Sequence, residues 1–205
     1  MTGEHPNTRE APTTERRSMG IQAALVRSIL DRYQSYTWTV QGFGMARMKI
    51  ADVGRIHVWD SRLRTQLVSD VHAHPWSLKS TIISGELINQ RFVVADHGLP
   101  YLHSRIATGE GGGLIGETGE VFLEAATPEF YPAGAIYRQS AEEIHRSIPM
   151  DGTVTLLERQ MGEPLQETSV YWPQGTHWVS AEPCPAQEWQ LSQVIQYALA
   201  RWSAT

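Results

Sequence analysis

Between Tyr36 and Ser180 the chain consists of short segments with period-two alternation or enriched in β-branched residues, interrupted by Gly, Pro, Asn and Asp. The candidates are residues 45–51, 55–60, 67–74, 78–84, 86–96, 101–107, 121–132, 135–140, 142–149 and 153–160. Alternate side chains of a strand face opposite ways, so such segments bury one face by packing it against another layer. Strands at this spacing, with no internal repeat at a fixed period, predict an all-β sandwich or small barrel.

The flanks have a different period. From Ser18 to Gln34, Ile21, Leu25 and Ile29, with Ala24, Val26 and Leu30 on a flank, recur at three- and four-residue spacing and predict a helix over 18–34 with Ser18 as N-cap. Trp189, Val194, Ile195, Ala198, Leu199 and Trp202 predict a second helix over 185–203. Residues 1–17 have no large apolar side chain after Met1 and are expected to be a disordered tail, leaving 18–205 as a single domain. The cluster GEGGGLIG (109–116) lacks the lysine and following helix of a phosphate loop and is expected to be a mobile loop. Loop conformation, at 109–119 and 161–176, would decide the substrate.

Composition excludes several classes of function. The chain has 205 residues, 41% hydrophobic and 19% charged, enough for a core that needs neither disulfide nor structural metal. Its net charge of -5, from 17 Lys and Arg against 22 Asp and Glu, creates no field for nucleic acid or an anionic membrane surface. No apolar run approaches the roughly 18 residues that span a bilayer, and residues 1–17 have charges and prolines where a signal peptide has its apolar stretch. The expectation is a cytoplasmic protein. The lone Cys184 rules out an internal disulfide or a cysteine-rich zinc site. Chemistry is left to the eight histidines.

Two of these, His72 and His74, stand in Val71-His72-Ala73-His74-Pro75-Trp76. At i and i+2 of a strand they present adjacent imidazoles to one face, at a separation suited to one metal ion. A third ligand must come from elsewhere, and His145, in the alternating segment Ile144-His145-Arg146, is the leading candidate. His57, in Arg55-Ile56-His57-Val58-Trp59, is held in reserve as a ligand or a structural group. His97, His103 and His177 sit at turns or strand ends and are expected on the surface, and His5 belongs to the tail.

The order of His-x-His, Gly85 closing a strand, a Pro132-Ala133-Gly134 turn and a single histidine before a last strand resembles the cupin superfamily. That likeness implies a double-stranded β-helix, a jelly-roll barrel with a metal in its mouth. The chain departs from the usual motifs: Leu78 and Lys79 occupy the glutamate position, Gln66 stands for the first glycine, and Tyr137 replaces the histidine three residues after the turn. The third ligand role then passes to His145 or to Tyr137. Loss of the glutamate suggests three neutral imidazoles, similar to the cysteine-dioxygenase-like branch, whose three-histidine iron(II) site leaves positions for substrate and dioxygen. That branch's near-site cysteine has no counterpart between Trp76 and Ser84.

The resemblance implies a non-haem iron(II) dioxygenase, an oxidoreductase acting with O2 on a small organic substrate such as a thiol or amino-acid derivative. Imidazole ligands alone suit zinc, manganese or nickel as well as iron, so a metal-dependent isomerase or lyase, or a small-molecule binding protein without turnover, is the alternative. Three neutral ligands leave the ion's full charge to attract an anionic substrate. Tyr137 is the candidate donor to substrate or oxygen, and Arg159 and Arg62 are the candidate clamps for a carboxylate. Glu158 competes with Arg159 for the inward face, and Trp76 either walls the site or packs in the core. The flanking helices cover the barrel, or edges pair into a homodimer; monomer and homodimer remain open.

Overall fold

The computed structural model describes residues 13–51, 54–65, 69–108, 113–180 and 182–203. In chain order these form α1 (Thr13–Leu30), a 3-10 turn (Tyr33–Ser35), β1 (Thr39–Gln41), β2 (Phe43–Ile50), β3 (Gly54–Arg64), β4 (Val71–His72), β5 (Leu78–Ser84), β6 (Glu86–Ala95) and β7 (Leu99–Ala107). The order continues with β8 (Leu114–Ala125), β9 (Glu129–Pro132), β10 (Ile136–Gln139), β11 (Ile144–Pro149), β12 (Val154–Arg159), β13 (Glu167–Pro173), β14 (Cys184–Pro185) and α2 (Glu188–Trp202). The fold is mostly β, with two antiparallel sheets. One has the order β10-β5-β12-β3-β2-β1-β14, the other β11-β4-β13-β7-β8-β6-β9, and β11 also pairs along β6.

The period-two pattern of the first sheet separates a core face from a cavity face. Ile56 and Val58 of β3, with Val154 and Leu156 of β12, pack against Val26, Ile29 and Leu30 of α1 and Val194, Ile195 and Leu199 of α2. Their alternates Arg55, His57, Trp59, Thr155, Leu157 and Arg159 line a cavity on the other face. The helices therefore cover one sheet, each fully buried aliphatic side chain contributing about 1.5–3 kcal/mol through loss of water contact. The second sheet lends its inner face to the same cavity. Its other face holds a smaller cluster that includes Val71, Phe92, Leu123, Ile144 and Tyr171.

Several sequence boundaries need correction. The first helix starts at Thr13 rather than at 18, so Ser18 lies inside it and residues 13–17 of the expected tail are helical; residues 1–12 lie outside the described residues. Apolar spacing marks the face that packs, whereas helix-compatible Glu and Arg residues extend the helix beyond it. The packed stripe is Val26, Ile29, Leu30 and Tyr33, and Ile21 and Leu25 are exposed. At the other end α2 keeps within the expected span, but Cys184 and Pro185 pair with β1. Of the expected strand 67–74, residues 67 and 68 lie outside the described residues, and among the rest only Val71–His72 is a strand.

The expected glycine loop already contains the first residues of β8, with 109–112 outside the described residues. The segment 121–132 divides between β8 and β9, and the expected loop at 161–176 contains β13. In β13, Thr168 and Val170 face the cavity between Ser169 and Tyr171, a two-residue alternation too short to stand out. Gly85 turns β5 into β6 with φ +79°, where a Cβ would lie 2.6 Å from Thr153 Oγ1. No helix among the described residues is long and apolar enough to cross a membrane.

Candidate metal centre

β4 supplies His72 and stops. His74 follows it outside the ladder, yet the backbone is still held: the Ala73 amide donates to the Ser169 carbonyl at 2.9 Å, and the His74 carbonyl accepts from Glu142 N–H at 2.9 Å. Across the sheet, His145 of β11 is the direct partner of His72. This register brings a residue 73 positions further along the chain beside the histidine pair. Ring centroids are 4.8 Å apart for His72 and His74, 4.9 Å for His72 and His145, and 5.1 Å for His74 and His145.

The three residues offer ligand nitrogens that all lie within 4.8 Å of one another. His74 Nε2 and His145 Nε2 are 3.1 Å apart. Two nitrogens about 2.1 Å from one ion and at right angles to it are about 3.0 Å apart, so the spacing fits a shared cation. The outer nitrogens orient the rings. His72 Nδ1–H donates to the Asp70 carbonyl at 3.0 Å, and His145 Nδ1–H donates to Asn89 Oδ1 at 2.8 Å. Each bond places the proton on Nδ1 and leaves the Nε2 lone pair facing inward. Phe43 stacks on His72 at 4.9 Å and Trp76 on His74 at 5.1 Å, which restricts ring rotation.

Burial pushes the pKa of all three imidazoles down, and for His74 and His145 the drop is large, reinforced by neighbouring histidines and, respectively, by Arg55 and Arg91. Neutral imidazole is the form that binds metal, so the site is held ready to ligate at neutral pH. No carboxylate belongs to the three-residue cluster among the described residues. Leu78 is buried, and Lys79 turns to the opposite face to pair with Glu158.

The other sequence candidates are divided by the fold. Tyr137 lines the cavity with its hydroxyl engaged by Ser80 and Ser147; burial raises its pKa, so it stays a proton donor. His57 also lines the cavity but lies outside the ligand cluster. Its Nε2 has no hydrogen-bond partner among the described residues, and burial together with Arg55 and Arg47 brings its pKa down to about 3. Arg159 lines the cavity and donates through Nη2 to the Gly162 carbonyl at 3.1 Å, whereas Glu158 faces away toward Lys79 and Gln22.

Arg62 is not among the residues lining the cavity. Arg62 lies within β3, but its guanidinium is paired with buried Asp60 and lies over the Tyr197 ring of α2, on the side that the helix covers. Trp76 walls the site. His97 and His177 are exposed, but His103 is half-buried, stacked on Tyr171 and bonded to Ser169.

The sequence reading missed Asn89, Asp70 and Arg55. Asn89 is fully buried on β6, and nothing in Leu87-Ile88-Asn89-Gln90 distinguishes it from a solvent-facing strand residue. The cavity has a volume of about 750 Å³ and takes its walls from both sheets. Its charged lining comprises Arg47, Lys49, Arg55, Arg64 and Arg159 against Asp70 and Glu182, a positive interior in a negatively charged chain. No protein-family model matches the chain and no curated protein is significantly similar to it, so the reading of this site rests on its own geometry.

Proposed function

We propose that the two sheets form a cupin double-stranded β-helix and that the protein is a metal-dependent oxidoreductase, a non-haem iron(II) dioxygenase acting on a small anionic organic substrate. The observation that carries this reading is the convergence of three neutral imidazoles, His72, His74 and His145, with no carboxylate in the cluster. An ion held there would supply Lewis acidity and open positions for substrate and dioxygen.

The chain's own residues account for the rest. The Asp70 carbonyl and Asn89 fix the imidazole tautomers, Trp76 and Phe43 hold two ring planes, and Tyr137 keeps a proton available at its hydroxyl. Arg55 and Arg159 offer guanidinium forks to the negative end of a substrate.

The test is metal analysis of protein purified without oxygen, followed by oxygen uptake with thiols, amino acids and phenols. Stoichiometric iron and substrate-dependent uptake are expected. Stoichiometric zinc, with no uptake for any substrate, would overturn the dioxygenase reading in favour of a non-oxidative isomerase, lyase or binding protein. His57 or Tyr137 would become the third ligand only if His145→Ala retained wild-type metal content.

A further inference from the structure

A second hollow of about 400 Å³ opens beside the histidine cavity and shares Lys49, Arg55, Trp76, Leu157 and Arg159 with it. Three of those shared residues are cationic, and no carboxylate lines the hollow among the described residues. Arg55 and Arg159 come from neighbouring strands: Arg55 pairs with Leu157, and Arg159 lies two residues further along the same face. Two guanidinium groups are thereby gathered in one place, and burial, with the Arg159 charge beside it, lowers the pKa of Arg55.

Four other arginines face carboxylates. Arg62 has Asp60, Arg64 has Asp70, Arg91 has Glu129 and Glu143, and Arg105 has Glu142 and Glu167. Arg55 has no such carboxylate among the described residues; its guanidinium carbon lies 5.3 Å from the centre of the Trp76 ring. Trp76 in turn stacks on His74, which places the Arg55 cation no more than about 10 Å from the His74 ring.

We propose that this hollow is a phosphoryl subsite, and that the substrate is a small phosphate monoester or phosphonate whose other end reaches the three histidines. The proposal deepens the reading above and rests on it for the reacting end alone. A carboxylate has one negative charge and occupies one fork, leaving the second guanidinium uncompensated by the ligand. A phosphoryl dianion offers three oxygens to two forks and compensates two charges. The cation–π contact with Trp76 uses the charge of Arg55 and not its N–H donors, which can serve those oxygens.

The experiment is calorimetric titration of the intact protein at low salt and pH 8 with methyl phosphate, acetate and succinate as probes, with and without a metal chelator. Methyl phosphate is expected to bind at or below about 1 mM and about tenfold more tightly than either carboxylate, with or without metal. Arg55→Gln and Arg159→Gln should each weaken it by about 10-fold or more, while Arg55→Lys, retaining the charge, weakens it less. Far-UV circular dichroism checks that each variant is folded, and Arg62→Gln, outside both cavities, should bind as the wild type does. The proposal is overturned by equal or tighter binding of succinate, by no saturation up to about 10 mM, or by undiminished binding to a folded Arg55→Gln, Arg159→Gln double variant. His145→Ala separates the two readings: metal lost with methyl phosphate retained supports the subsite independently, and phosphate binding that disappears with the metal refutes it.

Discussion

His145 acquires its role through two hydrogen-bonding groups, the ladder partner His72 and the buried amide of Asn89. Removing any of the three imidazoles should abolish metal retention with the fold intact, because the cluster that joins both helices to the first sheet lies on the face away from the cavity; metal content after gel filtration and far-UV circular dichroism check both halves. Asn89→Leu leaves all three ligands in place but removes the acceptor that orients His145. Metal affinity should fall by about 10–100-fold, measured by competition with a chromophoric chelator.

His57 provides a pH prediction for metal-free protein. Its folded pKa, about 3, lies below the unfolded value of 6.5, so between these values the unfolded chain binds the extra proton. The His57 contribution to stability is then complete above about pH 6.5 and is lost as pH falls toward about 3, at about 1.4 kcal/mol per pH unit. Urea midpoints at pH 7, 6 and 5 should decline more steeply for the wild type than for His57→Gln, and parallel lines would refute the assignment.

At the scale of elements, α2 shows how the helices hold the first sheet. Leu191, Val194, Ile195, Ala198 and Leu199 are buried at three- and four-residue spacing against β3 and β12. Ile195→Ala should cost about 2–5 kcal/mol by urea unfolding, with metal content per folded molecule unchanged, since this core lies on the face away from the cavity. The β5–β6 reversal depends on Gly85 for a different reason. Alanine there meets both a positive φ and the Thr153 side chain, whose hydroxyl bridges the Glu86 amide at 3.1 Å and carbonyl at 2.8 Å. The left-handed backbone alone costs about 1–3 kcal/mol, and Gly85→Ala should lower the urea midpoint accordingly.

At the scale of the whole molecule, two sheets enclose a positive cavity within a chain of net charge -5. Apart from Asp70 and Glu182, the described acidic residues lie outside it, several in surface pairs such as Arg105 with Glu142 and Glu167. Metal binding should stabilise the assembly by mass action without being required for it: about 2.7 kcal/mol at a free concentration 100-fold above the dissociation constant. Thermal melts over a series of free-metal concentrations should rise logarithmically, and a chelated sample should still melt cooperatively.

The amino-acid sequence by itself determined the strand-rich middle, the two flanking helices and the i, i+2 histidine pair. The strands and helices depend on local periodicity, which each imposes on its own residues, and the histidine pair on closeness in the chain, since His74 lies beyond the end of β4. Helix α1 shows the limit of that information: the spacing of Ile21, Leu25 and Ile29 announced a helix, but only packing revealed that Ile21 and Leu25 face solvent while Val26 and Leu30 are buried. Tertiary structure alone decided that His145 stands across from His72 with Asn89 behind it, and that Arg62 leaves the site while Arg55 faces the cavity. Those outcomes depend on strand register and on which of two faces turns inward. Register joins residues far apart in the chain through backbone hydrogen bonds common to every side chain, and so leaves no trace in the local sequence.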